Sequence, residues 1–358
     1  MLKKTALLSV VFMLAIMLSG CFPDGSSPYL GNSGQISDAW QLAESIENFE
    51  LDLTLPQTSP EELPVLELGI RQWDTEKVLE MFMGDKEITD RREFDSDYYD
   101  GEKYSVYWAD DVMFVIEKGR LSYTRLSGTR ERSLCSFLDI YYENEPYDVE
   151  CSFMTREEAV GKVREILDKL GITNLSEPDV RGVDVPLAEK LLKKSSPSGN
   201  YEPWGDDEFY YITFFQVYED IPINRWNVRG LENKYVSKES YITAIADKNG
   251  IVELSLSGIY SAEYKQGDKV SVTSASDALT TAVSNMAETD FPTLCTMYGC
   301  KLIYVNTAND KNISFTFAPV WEFSYCCCYD SGNFAYAADN RTIERSYVDY
   351  KNNFLKEY

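Results

Sequence analysis

Tyr241-Ile242-Thr243-Ala244-Ile245-Ala246, then Asp247-Lys248-Asn249-Gly250, then Ile251-Val252-Glu253-Leu254-Ser255-Leu256 is the stretch on which the fold class turns. Two runs rich in apolar and β-branched residues flank an Asn-Gly pair, the strongest short-range signal for an antiparallel hairpin. Upstream, residues 209–218 read as a further strand that ends at Ile221-Pro222-Ile223. Before it, Thr155-Arg156-Glu157-Glu158 spells a capping box. Ala159, Val160, Val163, Ile166, Leu167 and Leu170 then form one apolar stripe that stops at Gly171. A polar stretch with Ser195-Ser196-Pro197-Ser198-Gly199 separates the two. The order is helix, strand, hairpin, and the class is α+β.

Residues 268–358 repeat this order. Ser274-Ala275-Ser276-Asp277 caps a helix with Ala278, Leu279, Ala282, Val283 and Met286 on one face. Strands follow at 301–305 and 313–317, leading to Ala318-Pro319-Val320-Trp321, and residues 334–338 reach Asp339-Asn340-Arg341-Thr342. Ile221-Pro222-Ile223 then corresponds to Ala318-Pro319-Val320, and Asp247 to Asp339, as in a tandem duplication. A proline inside a strand pattern marks an edge or a bulge. In residues 36–150 the pattern predicts a small α+β domain. It has a helix over 36–49, a proline-broken run to Pro64, a helix over 75–83, and strands at 104–108, 112–117 and 121–125 around the turn Lys118-Gly119-Arg120. Asp95-Ser96-Asp97-Tyr98-Tyr99-Asp100-Gly101 lacks calcium-loop spacing, since Tyr99 and Asp100 stand where a ligand and a glycine are needed, and reads as an acidic turn.

Chemistry is bounded by composition. The chain has 358 residues, 44% hydrophobic and 13% aromatic, which is globular rather than disordered. Its net charge of -25 repels nucleic acid phosphates and makes nucleic acid a poor partner. It has no histidine, which removes Ser-His-Asp and Cys-His catalysis and imidazole-bound metal and leaves carboxylate-pair chemistry as the main enzymatic option. No catalytic residues, metal site or cofactor are assigned.

The first 21 residues have the layout of a bacterial lipoprotein signal. Lys3 and Lys4 precede an apolar run too short to span a bilayer stably, and Leu18-Ser19-Gly20-Cys21 follows. Small residues admit a peptidase, and the Cys21 thiol is the nucleophile that takes a diacylglycerol. The expected organisation is signal 1–20, flexible Gly/Ser/Pro-rich tether 21–35, N-terminal domain 36–150, and units at 152–262 and 268–358. The mature protein is expected on the extracytoplasmic face of the cell membrane, held by its lipid. Beyond Cys21 stand Cys135, Cys151, Cys295, Cys300, Cys326, Cys327 and Cys328, an odd number that points to an anaerobic Gram-positive source. Buried thiols or a disulfide among the last five are both open, and no C-x2-C pair supports a metal.

The helix from Thr155, the bends at Pro222 and Pro319, the tripeptide Pro319-Val320-Trp321 and the turns at Asp247 and Asp339 resemble the PepSY-type domain. They also resemble the related two-domain extracytoplasmic regulators of cell-wall sensor kinases in Gram-positive bacteria. The resemblance covers about residues 152–348. It implies a non-enzymatic protein that docks on an envelope peptidase or kinase, with Pro222, Pro319 and Trp321 as candidate binding residues. The alternative expectation is a surface carbohydrate-binding or solute-binding lipoprotein, in which Trp204 and Trp226 stack on sugars and a carboxylate pair does any chemistry.

Overall fold

The computed structural model describes residues 33–56, 58, 60–84, 86–96, 102–128, 131, 135, 149–195, 204–205, 207–223, 240–261, 265–288, 294–310, 314–328, 341–349 and 354–356. The signal, Cys21, residues 21–32 of the expected tether, residues 97–101, Trp226 and the Asp339 turn lie outside them, while residues 33–35 of that tether begin a helix. Residues 35–358 form one compact unit.

In chain order come α1 (Ser33–Glu44), β1 (Phe49–Leu51), β2 (Glu62–Gly69), α2 (Thr75–Met83), β3 (Asp90–Asp95), β4 (Lys103–Ala109), β5 (Val112–Glu117) and β6 (Arg120–Arg125). Then follow α3 (Arg156–Lys169), β7 (Asp179–Val183), α4 (Val185–Ser195), β8 (Phe209–Phe214), β9 (Val217–Tyr218), β10 (Ile221–Pro222), β11 (Tyr241–Asp247) and β12 (Gly250–Ser257). The chain closes with β13 (Lys265–Ser271), α5 (Ala275–Met286), β14 (Cys295–Asp310), β15 (Ser314–Cys328), β16 (Arg341–Asp349) and β17 (Phe354–Lys356). Strands dominate this mixed α/β protein, with five α-helices among the described residues.

The Asn-Gly hairpin forms as its chemistry requires, with Gly250 at φ +110 and Asp247 opposite it. It is the centre of an eight-stranded sheet in the order β3-β4-β5-β6-β12-β11-β8-β7. The β6–β12 pair carries the sheet from residues 90–125 into residues 179–257. Strands expected in an N-terminal domain and in the first unit therefore share one sheet, and the boundary expected near residue 150 falls between hydrogen-bonded neighbours. Helix α3 forms on its capping box, Thr155 Oγ1 accepting from Glu158 N at 3.2 Å and Thr155 N donating to Glu158 Oε2 at 2.9 Å. Its Ala159, Val163 and Leu167 bury against Tyr210, Ile212, Phe214 and Leu254 on the sheet, each large apolar side chain contributing about 1.5–3 kcal/mol. The other face receives α4, whose Leu187, Ala188 and Leu191 cover Tyr211, Ile245 and Val252. Residues read as polar linker thus form a helix, begun by Asp184 Oδ1 accepting from Leu187 N at 2.9 Å.

The second sheet has seven strands built on the β14–β15 hairpin. On the flank of β15 away from β14, β2 pairs residues 314–317 and β16 pairs residues 320–328. Parallel β1 joins the outer flank of β14, and β13 borders β2. This sheet corrects the expectation of a second PepSY-like unit: β1 and β2, from the expected N-terminal domain, belong to it. Pro319 lies in the middle of a 15-residue strand, while Pro222 belongs to a two-residue strand in a two-stranded ladder. The two prolines are not equivalent. Pro319 sits where β15 changes partner from β2 to β16, so its missing N–H costs no ladder bond there. Pro64 does not break β2; it lies past the last residue paired with β15.

Candidate functional site

Pro222 and Pro319 come to opposite flanks of Tyr304. Ile223, next to Pro222, bridges Tyr304 in parallel, and Pro319 faces Tyr304 across the hairpin. Tyr304 is fully buried, meets Tyr218 edge-on at 5.8 Å, and donates its hydroxyl to Pro64 O at 3.1 Å. Pro222 is half-buried and Pro319 buried. Trp321 is not brought to the surface: it is 1% exposed in the core beneath α1 and α5, its Nε1 donating to Thr273 O at 2.8 Å. An interface anchor needs an accessible ring, so Trp321 is a core residue in this structure. The turn before Pro222 places Glu219 and Asp220 at φ +47 and +66, a conformation that ordinarily selects asparagine and glycine. A cavity of about 360 Å³ opens beside it, lined by Thr173, Asn174, Leu175, Tyr218 and these two carboxylates.

A second cavity, of about 390 Å³, lies on the face of the eight-stranded sheet that α3 covers. Helix α2 supplies Met81 and Phe82, α3 supplies Ile166 and Lys169, β6 supplies Tyr123 and Arg125, and Lys86, Asn249 and Ile251 complete the wall. Its floor is aromatic, Phe82 stacking on Tyr123 at 5.5 Å and meeting Phe114 at a tilt at 5.0 Å. Its polar side chains are three cations, the Asn249 amide and the Tyr123 phenol. Lys86 pairs with exposed Asp111 at 3.5 Å and Lys169 with exposed Glu165 at 2.7 Å, while Arg125 pairs with buried Asp247. Arg125 Nε is buried and has no hydrogen-bond partner. Burial pushes the Tyr123 phenol up, opposed by the charges of Lys86 and Arg125.

Strand β3 borders the same sheet and pairs only with β4 among the described residues. Five of its six residues are exposed, with Arg91–Glu93 and Arg92–Asp90 ion pairs at 2.8 and 2.9 Å along it. Ile88 and Phe94, each 40% exposed, are two of the four large hydrophobic side chains exposed among the described residues. Phe94 stacks on Tyr104 at 5.2 Å.

Other reactive groups are held quiet. Burial raises the Cys151 thiol to about 11 and the Cys300 thiol to about 12. Glu322, 1% exposed, lies 2.8 Å from Lys301 Nζ. No cluster of three or more His, Cys, Asp or Glu residues fit to hold a metal occurs among the described residues, and no helix there is long and apolar enough to cross a membrane. Trp204, a candidate sugar platform, is 3% exposed and donates Nε1 to Asp207 O at 2.7 Å.

Sequence reasoning did not single out Lys86, Tyr123, Arg125 or Lys169. Each is ordinary where it stands, Lys86 just past the end of α2, Lys169 in the last turn of α3, Tyr123 within β6 and Arg125 at its end, and only the β6–β12 pairing and the helices above it bring them together. The positive charge of the three cations in so acidic a chain was the available signal.

No family model and no curated protein matches the chain. A 1.45 Å crystal structure of an uncharacterised protein from Eubacterium rectale ATCC 33656 superposes with a TM-score of 0.68 at 12% identity, over 92% of this chain and 99% of that one. The fold has a solved counterpart. Identity that low speaks for the fold alone. YycH from Bacillus subtilis matches over 76% of this chain and 96% of its own at 13% identity, with a TM-score of 0.22, too low to argue a common fold.

Proposed function

We propose that the chain is a lipid-anchored extracytoplasmic protein of a Gram-positive envelope that binds a protein partner there, a peptidase or a sensor-kinase ectodomain, without catalysing a reaction. The observation that carries the reading is the outer edge of β3, a six-residue strand that pairs only with β4 among the described residues, with exposed Phe94 on it and exposed Ile88 just before it. A partner strand can add there through main-chain hydrogen bonds. The charges along β3 select against indiscriminate pairing. The lipoprotein layout ending at Cys21 supports the location, and α3 with the β11–β12 hairpin supports a PepSY-like ancestry for residues 152–262.

The test uses the full chain as bait in a crosslinking pull-down from native membranes, read by mass spectrometry. Recovery of one envelope kinase or peptidase, lost with Ile88→Glu plus Phe94→Glu at unchanged melting temperature, is the expected result. Recovery of glycans, of nothing, or of the same protein by both baits overturns the reading. A solute-binding function is the second reading, favoured by the 390 Å³ cavity.

A further inference from the structure

We infer that the cavity between α2, α3 and the β6–β12 pair binds a carboxylate that carries an aromatic or branched apolar group. Three observations converge. In a chain of net charge -25, this cavity is lined by Lys86, Arg125 and Lys169 and by no acidic residue. Its floor is apolar, with the Phe82–Tyr123 stack and Ile166 offering contact to a ring or branched chain. Arg125, part-buried in its pair with Asp247, has a buried Nε without a hydrogen-bond partner.

The existing ion pairs define the ligand rather than compete it away. Lys86, Lys169 and their carboxylate partners all have side chains at least 41% exposed, and pairs this exposed hold weakly. A ligand carboxylate replaces Asp111 and Glu165 in kind while leaving those two side chains free to return to water. The cost is small and the gain is a partly desolvated contact above an apolar floor. A neutral isostere offers the floor nothing in exchange for the lysines. Free amphiphilic acids and peptide C-termini ending in a large apolar residue share this chemistry.

Calorimetry on the full chain at low salt separates the cases, with N-acetylphenylalanine, its amide, and a hexapeptide ending in phenylalanine, free or amidated at its C-terminus, as probes. At least one free acid is expected to bind at least tenfold tighter than its amide, and to weaken at least tenfold in Lys86→Gln plus Lys169→Gln and again when salt is raised. Binding of the small acid alone assigns free acids as the source, and binding of the peptide acid alone assigns a C-terminus. Equal binding of acid and amide, no binding of either acid, or undiminished binding by a lysine variant of unchanged melting temperature overturns the inference. These readouts do not involve β3, so failure here leaves the docking edge standing, and failure of the pull-down leaves this cavity standing.

Discussion

The indole of Trp321 fills the layer between the second sheet and helices α1 and α5 and satisfies its only polar atom on Thr273 O. Trp321→Ala therefore removes a large buried ring and orphans a carbonyl, a loss of about 3–5 kcal/mol by urea denaturation. A loss below about 1 kcal/mol would place the ring outside the core. The buried thiols make a pH prediction. A cysteine in the unfolded chain ionises near 9, while folding raises Cys151 to about 11, by burial and then by the charge of Glu208, and Cys300 to about 12, by burial and then by Glu322. Above pH 9 the unfolded chain gives up protons that the folded chain keeps, so their contribution is complete below that pH and is lost as pH climbs toward 11 and 12. Urea midpoints measured from pH 8 to 11 are expected to fall more steeply for the wild type than for Cys151→Ala plus Cys300→Ala. Parallel declines would contradict the assignment.

Helix α3 shows how much an element owes to local code and how much to distant residues. Its start is written in Thr155 and Glu158 and its stop in Gly171 at φ +70, and all three are legible without a structure. The carbonyls at and just past its C-cap depend on Arg71, a hundred residues earlier, which donates to Leu170 O and, at 3.1 Å, to Gly171 O while lying over Trp73 at 5.1 Å. Arg71→Ala is expected to cost about 1.5–3 kcal/mol, with Arg71→Lys recovering only part because a lysine cannot span two carbonyls with a planar fork. Equal stability of the two variants would show that the fork is not what matters. The same division explains what the sequence made visible. Helices α2, α3 and α5 and the strands β4, β5, β6, β11 and β12 announce themselves through period and turn residues. Strands β3 and β13, Asp-Arg-Arg-Glu-Phe-Asp and Lys-Gln-Gly-Asp-Lys-Val-Ser, carry no such signal because edge strands exposed on both faces need no apolar alternation. Strand β2 was hidden by Pro64, and α4 by its lysines.

The two sheets are built from interleaved lengths of chain, since residues 49–69 and 265–356 make one and residues 90–257 the other. A pattern read along the chain finds neighbours in sequence, and no periodicity reports that β1 and β14 lie side by side. The cavity was hidden for the same reason, because β6 and β12 meet only through long-range pairing. The interleaving makes a prediction for the whole molecule. A chain ending at residue 261 keeps every strand of the eight-stranded sheet but deprives β1 and β2 of all their partners. Limited proteolysis is expected to cut it within residues 33–69 and to leave a resistant core over 75–257. Resistance of residues 33–69, or digestion of the whole chain, would contradict that division.

Thr296 Oγ1 donates to the carboxylate of Glu50 at 2.7 Å across 246 residues of chain, alongside the parallel β1–β14 pair. Translation proceeds at about 5–20 residues per second, so the amino-terminal strands wait about 10–50 s before the hairpin that will receive them exists. Through that interval Leu63, Leu66 and Leu68, which end buried, have no native surface to cover them. The growing polypeptide therefore holds these leucines without their native cover until residues 314–317 of β15 are made, and the seven-stranded sheet is complete only once β16 and β17 have been added.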